Sequence, residues 1–455
     1  MNNVKAIESA ALADTAEISE PIGERISNED IAFIALEIGE HIQRSGGEIS
    51  RVEDTIKRIC KAYGARHVDV FALTSIIILS VNFGEKTVTR TRRITKGCAN
   101  NFSRLSRLNN LSRRVCKELP DKQDVLASME EIYKTTVPFL PLFLLAHVLT
   151  ALGFCIYFGG TIVEALFAGA IALLMHILHK IISGPNMNHI MAKVIICFFG
   201  GICTILITYA GNSMGLVCHS DKIMIGTIMN VIPGVAFTNS LRDLLGGDLM
   251  TGILRFSEVL IDTVAIGCGY AISFVTLPKL VQKATESGKL EVPDVLWHIL
   301  GATVCTIGLV LMYNLEKRST VFAVFGAMMA CSIFEFYVFY NGNVFVGALL
   351  SALAVAFYGD IMAHVLKTPT TVLLIPGIVP MVPGGLLFNT MLSVLDQNRE
   401  NAGTYGTKAL LIALGLTVGI ISATFIFRTF WSIVKKYKQS GHEKFNSVFE
   451  KIKKN

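Results

Sequence analysis

Three ionisable residues, Arg255, Glu258 and Asp262, stand at helical spacing inside an apolar stretch. Separations of three and four place them on one helical face. At mid-membrane each charge costs ~2.5–3.5 kcal/mol on the insertion scale, so three unpaired against lipid would cost on the order of 10 kcal/mol. They must therefore meet one another, the bundle interior or water. A substrate or proton site satisfies that requirement, and so does an Arg–Glu pair that only locks helices. Asp262, deeper in the stretch, points more to function than Arg255 does. Glu335, in the run Ile333-Phe334-Glu335-Phe336-Tyr337, and Asp360 are further proton-coupling candidates. Glu164 lies near a span end, and His176, His179, His298 and His364 share no spacing.

A second constellation occurs twice. Val231-Ile232-Pro233-Gly234 leads to Asn239-Ser240, and Met381-Val382-Pro383-Gly384 leads to Asn389-Thr390, 150 positions later. Pro lacks the N–H and Gly has no side chain to pack, so each pair breaks a helix. Within hydrocarbon the freed backbone groups need protein or a watery cavity. A break repeated in two halves points to a transporter's binding site. The half-helix N-terminus attracts a carboxylate, and unwound carbonyls can take an ammonium, which suits a zwitterionic amino acid. Pro233, Gly234, Asn239, Arg242, Asp243, Pro383, Gly384 and Asn389 are the expected substrate-binding residues. Arg242-Asp243 also reads as a loop pair, and the breaks as mere kinks capped by Asn.

The elements that must position these residues follow from composition. The chain is 52% hydrophobic and 17% charged, with mean hydropathy +0.54. Soluble domains carry about 25% charged residues. The pattern predicts an α-helical polytopic membrane protein with about ten transmembrane helices of ~20 residues. The expected spans are 137–158, 161–182, 188–210, 222–245, 248–276, 294–314, 320–341, 343–366, 369–396 and 406–433. The linker Lys279–Asp294 divides them five and five, and an odd number per half makes two five-helix inverted repeats. Gly153 and Gly169-Ala170 echo Gly308 and Gly326-Ala327.

The expected organisation is a disordered tail (1–27), a small cytosolic α/β domain (28–135), membrane modules (136–287 and 288–434) and a basic cytoplasmic tail (435–455). In the α/β domain, Ile31–Arg44, Glu48–Tyr63 and Asn101–Leu119 read as helices. His67–Val81 and Lys86–Ile94 read as strands. The basic tail and an even span count put both termini in the cytoplasm, although Lys279, Lys283 and Lys289 in the linker strain that rule. No apolar leader segment is expected at Met1–Asp30.

The ten cysteines show no CxxC or metal-ligand spacing, and read as small buried hydrophobes. No metal, cofactor or nucleic-acid partner is expected. No P-loop, dinucleotide fingerprint or nucleophile elbow occurs, so the chain reads as a secondary transporter rather than an enzyme or ATP-driven pump. A membrane scaffold or sensor is the alternative from another class. An intramembrane hydrolase lacks a recognisable acid pair or metal set. Assembly with further copies of itself stays open.

From about residue 30 to 430 the chain resembles the threonine/serine exporter family. The segment Gly39-Glu40-His41-Ile42-Gln43-Arg44-Ser45-Gly46-Gly47 and the later Asn101-Phe102-Ser103-Arg104-Leu105 look like that family's N-terminal domain. The strongest likeness runs from Ile232 to Asp248 and on to Gly252 and Arg255; Leu374-Ile375-Pro376-Gly377 and Val382-Pro383-Gly384 look like its second membrane module. Leu73-Thr74-Ser75 departs from it, where many members carry Pro. The resemblance implies proton-driven export of threonine and serine across the cell membrane. A split-chain branch of the family is associated with succinate, so a dicarboxylate exporter is the alternative.

Overall fold

The computed structural model describes residues 26–84, 86–94, 100–184, 187–245, 247–278, 280, 295–395 and 397–454. The tail drawn over 1–27 and the linker over 279–294 lie almost wholly outside the described residues. The chain divides into two compact units, Met1–Val137 and Pro138–Asn455.

The first unit contains α1 (Asn28–Arg44), α2 (Ile49–Ala62), β1 (His67–Ala72), β2 (Ile76–Asn82), β3 (Thr87–Arg93), α3 (Phe102–Glu118) and α4 (Lys122–Thr135). Ser27 caps α1 by accepting from the Asp30 N–H at 3.1 Å. The predicted stop at Ser45-Gly46-Gly47 works through Gly46 at φ +95° and a Gly47 N–H bond to the Ile42 carbonyl, as helix ends commonly do. The strands form an antiparallel sheet in the order β1-β2-β3, with Val68 opposite Val81 and Val81 opposite Val88. Ile34, Ile38, Ile56, Leu79 and Leu105 are fully buried. Arg92 on β3 reaches Glu37 and Glu40 on α1. The hydrogen bond from His41 holds the Glu37 carboxyl below its ordinary value of 4.5, and Arg92 pulls the same way.

The second unit is helical throughout. Its first half comprises α5 (Leu140–Tyr157), α6 (Ile162–Ile182), α7 (His189–Ser213), α8 (Ser220–Ile228), α9 (Gly234–Leu245) and α10 (Leu249–Thr276). The second comprises α11 (Val295–Met312), α12 (Lys317–Asn341), α13 (Val344–Leu366), α14 (Thr370–Ile378), α15 (Gly384–Leu395) and α16 (Arg399–Lys454). Among the described residues, eight helices are long and apolar enough to cross a membrane, and the pair 370–381 and 384–394, bent by 43°, makes up to nine. One of the ten expected spans, 222–245, is not among them. The segment drawn at 222–245 is two short helices, α8 and α9, of 9 and 12 residues. Asp221 and Lys222 before the break, and Arg242 and Asp243 after it, dilute its hydropathy. The tail drawn from residue 435 continues α16 without interruption to Lys454.

The helix pairings of the first half recur in the second. In the first, α5 packs on α6, α6 on α7, α7 on α10 and α9 on α10, with α8 against α5, α6 and α7. Correspondingly, α11 packs on α12, α12 on α13, α13 on α16 and α15 on α16, with α14 against α11, α12 and α13. Small residues make the close seams, as they do between membrane helices. A Cβ added at Gly269 would lie 2.5 Å from the Val194 carbonyl, and one at Gly419 would lie 2.5 Å from the Leu349 carbonyl.

The halves meet first through α5 and α11. Gly153 abuts Cys305, Gly308 abuts Thr150, and Gly301 abuts Tyr157. As the number rises along one helix it falls along the other, so the two run antiparallel. The first two contacts are reciprocal, since an offset of 155 carries Thr150 onto Cys305 and Gly153 onto Gly308.

Candidate functional site

Both breaks are built alike. After α8 the chain turns at 229–233, and α9 restarts at Gly234, with the Phe237 N–H bonding the Pro233 carbonyl at 3.0 Å. After α14 a 3₁₀ turn, Val379–Met381, intervenes and α15 restarts at Gly384. There the Leu387 N–H bonds the Pro383 carbonyl at the same 3.0 Å. The first amides of each new helix have no acceptor within it.

The breaks touch each other. A Cβ on Gly234 would lie 2.6 Å from Cγ1 of Val382, and one on Gly384 would lie 2.9 Å from Cγ2 of Ile232. These contacts exchange under the 150-residue offset. Only glycine permits this approach of two helix N-termini. The halves also trade helices: α9 packs against α16, and α15 against α10. Phe237 and Leu241 accordingly share a core with Ala413, and Phe388 shares one with Ile266 and Tyr270.

Between the breaks lies a cavity of about 70 Å³. Eight of its eleven lining residues come in equivalent pairs: Phe154 and Leu309, Met229 and Val379, Ile232 and Val382, Gly234 and Gly384. Its polar contribution is unsymmetrical. Asn230 donates through Nδ2 to the His147 carbonyl at 3.0 Å, while its Oδ1 is buried without a partner among the described residues. Sequence reasoning missed Asn230, although a polar amide three residues before a membrane Pro-Gly was a signal. Tyr313 also lines the cavity.

Of the expected substrate residues, only Gly234 and Gly384 line this cavity, with Pro233 and Pro383 directly before them. Asn239, Arg242 and Asp243 lie further along α9. Asp243 accepts from Arg255 Nη1 at 2.7 Å. Asn389 lines a different cavity, of about 460 Å³, with Asp221, Lys222, Ser393, Asn401 and Tyr405. The hydroxyls after the breaks turn back to their own helices: Ser240 donates to the Phe237 carbonyl at 2.7 Å and Thr390 to the Leu386 carbonyl at 2.7 Å.

The expected charged face on α10 is divided. Arg255 goes to Asp243, Glu258 is exposed, and Asp262 pairs with Lys193 on α7 at 2.5 Å. The three charges therefore do not form one cluster. The partners come from neighbouring helices, which spacing along a single helix cannot reveal.

Glu335 accepts from the Tyr157 hydroxyl at 3.0 Å, and Nδ1 of His298 lies 3.2 Å from its other oxygen. Asp360 accepts from the Thr370 hydroxyl at 2.8 Å. Glu164 is fully buried, but it closes a capping box with Thr161 and accepts from the His219 N–H at 2.5 Å, a structural task. The rings of His147 and His176 lie 4.0 Å apart, a pairing between helices that sequence spacing hid. Among the described residues no group of three or more His, Cys, Asp or Glu could hold a metal ion.

Fold and site together define a multi-pass helical membrane protein built around two touching helix breaks. The chain belongs to the threonine/serine exporter family: residues 33–277 match the model described as "Putative threonine/serine exporter", and 298–426 match "Threonine/Serine exporter". It is similar to the threonine/serine exporter of Corynebacterium glutamicum, at 22% identity over 87% of this chain and 82% of that one. It is also similar to the "Probable threonine/serine exporter" of Mycobacterium tuberculosis, at 22% identity over 86% of this chain and 75% of that one. An uncharacterised protein of Schizosaccharomyces pombe is 19% identical over 52% of this chain and 32% of its own length. No solved structure matches.

Proposed function

We propose that the protein exports threonine and serine across the cell membrane in exchange for protons, through a site formed where the two Pro-Gly breaks meet. The carrying observation is the cavity between Gly234 and Gly384, edged by two helix N-termini and the unsatisfied Oδ1 of Asn230. The N-terminal amides suit a carboxylate, and the Asn230 oxygen suits an ammonium or a substrate hydroxyl. A dicarboxylate would bring a second negative charge, and among the described residues no Lys or Arg lines this cavity. At about 70 Å³, the cavity is far below the ~300–1,000 Å³ of ligand clefts. The breaks must therefore part to admit a substrate, with Gly234 and Gly384 as the hinge positions.

In this reading the two halves are inverted five-span repeats, each broken pair counting as one span, and both termini are cytoplasmic. The antiparallel α5–α11 seam and the exchanged contacts of Gly234 and Gly384 support it. Glu335 carries the proton, because the Tyr157 hydroxyl bonds it and only the His298 ring, 3.2 Å away, stands where a cation could, whereas Asp262 is neutralised by Lys193. Purified protein in liposomes, loaded with threonine, serine or succinate, tests the function. Efflux of the two amino acids should rise with an imposed proton gradient. Efflux of succinate alone, or of none of the three, would refute it.

A further inference from the structure

The cavity of about 460 Å³ holding Asn389 lies apart from the breaks, where the start of α8, the middle of α15 and the start of α16 converge. Its polar groups differ in kind. Lys222 is largely buried and spends one of its donors on the Phe158 carbonyl at 2.8 Å. The Asp221 carboxylate is 3.9 Å from the same ammonium. Asn389, Ser393, Asn401 and Tyr405 supply amides and hydroxyls on the facing wall. A cation, an anion and neutral hydrogen-bonding groups around one space complement a zwitterion with a short polar side chain.

Among the described residues the other half lacks this arrangement. The 150-residue offset carries Ser393 onto Asp243 and Tyr405 onto Arg255, which are joined at 2.7 Å. It carries Asp221 and Lys222 onto Thr371 and Val372, both buried. The corner that is open behind the second break is thus bridged by an ion pair behind the first.

We propose that the open corner is a second amino-acid site, a vestibule through which substrate passes on one side of the central cavity. The substrate carboxylate bonds Lys222, its ammonium faces Asp221, and its hydroxyl reaches Asn389 and Ser393. The proposal rests on the reading of the protein as a threonine and serine exporter, and it names a station of the same path.

Equilibrium binding of radiolabelled threonine to the full chain in lipid nanodiscs tests it. The unaltered protein should bind two threonines per chain, the weaker one lost in the double variant Lys222→Gln, Asn389→Ala, and the other weakened about tenfold by Asn230→Ala. Should the first variant fail to fold, Ser393→Asp with Tyr405→Arg installs the ion pair of the other half and should remove the same weaker site. If the unaltered protein binds one threonine per chain, and neither double variant alters it, the vestibule is refuted while the exporter reading stands. If it binds neither threonine nor serine, both fall.

Discussion

The two halves of the membrane unit share one scheme of helix pairings and differ in what fills the corner behind each break. Behind the first, Asp243 and Arg255 close it with a 2.7 Å ion pair. Behind the second, Ser393 and Tyr405 leave about 460 Å³ open. The backbone framework is set by glycines that recur in register, such as Gly269 and Gly419. Which corner stands open is set by side chains that do not recur. If the halves are inverted repeats, as proposed, that division lets them exchange conformations while keeping one central site.

The largest expected effect comes from filling the contact between the breaks. Gly234→Ala drives a methyl to 2.6 Å from the branched Val382 side chain. Overpacking of this kind costs ~1–3 kcal/mol, and threonine efflux should fall about tenfold or more at equal membrane abundance. Val382→Ala in the same chain should restore it. Gly384→Ala meets Ile232 at 2.9 Å and the flexible Met229 sulfur at 3.0 Å, so its loss should be smaller. Equal losses, or no rescue, would break the comparison between the halves.

Next comes the closed corner. Asp243→Asn removes the ion pair and should let threonine-loaded liposomes leak about tenfold faster, the kinetic equivalent of ~1.4 kcal/mol. Ser393→Ala, at the equivalent position in the open corner, breaks no ion pair and should raise the leak far less. A leak of the same size from both variants would show that the corners are not a closed and an open gate.

A smaller effect separates structure from proton coupling. Asp262→Asn strands the Lys193 ammonium, so efflux should fall several-fold, and Lys193→Met in the same chain should recover it. Glu335→Gln should instead abolish the response of efflux to an imposed proton gradient while leaving threonine counterflow intact. Recovery that fails for the first pair, with an unchanged pH response for Glu335→Gln, would move the proton to Asp262.

The smallest effect is confined to the first unit. The folded Glu37 carboxyl lies below its ordinary 4.5 because His41 and Arg92 favour the anion. A depressed carboxyl stabilises the fold above the ordinary value and loses that contribution as pH falls through the lower one. Protection of the α1 amides against hydrogen exchange in the full chain, relative to intrinsic rates at the same pH, should therefore fall once the pH drops below the ordinary 4.5, and less so for Glu37→Gln. Loss of protection that begins well above that pH would point to another group.

The helices of the first unit, its turn at Gly46-Gly47 and most of the long apolar helices were legible from periodicity and composition. So were both Pro-Gly breaks, because Pro and Gly act locally. What was hidden is what lies between helices. Arg255 shares a face with Asp262 on paper, yet their partners stand on α9 and α7. Asn389 follows its break as Asn239 follows the other, yet it lines a separate cavity, and Asn230 lines the central one from the residues before the break. The span expected at 222–245 does not count among the long apolar helices, because its break leaves two short helices with charge on both sides of it.

The central claim is that the cavity between the breaks holds the substrate. Val379 lines it from the second half without offering a polar contact, so Val379→Cys, in a chain whose native cysteines are replaced, reports on it without removing a proposed ligand. The measurement is the rate at which a charged methanethiosulfonate modifies this cysteine, with and without threonine. Threonine and serine should slow the modification and succinate should not. Modification indifferent to threonine, in protein that still exports it, would contradict the claim.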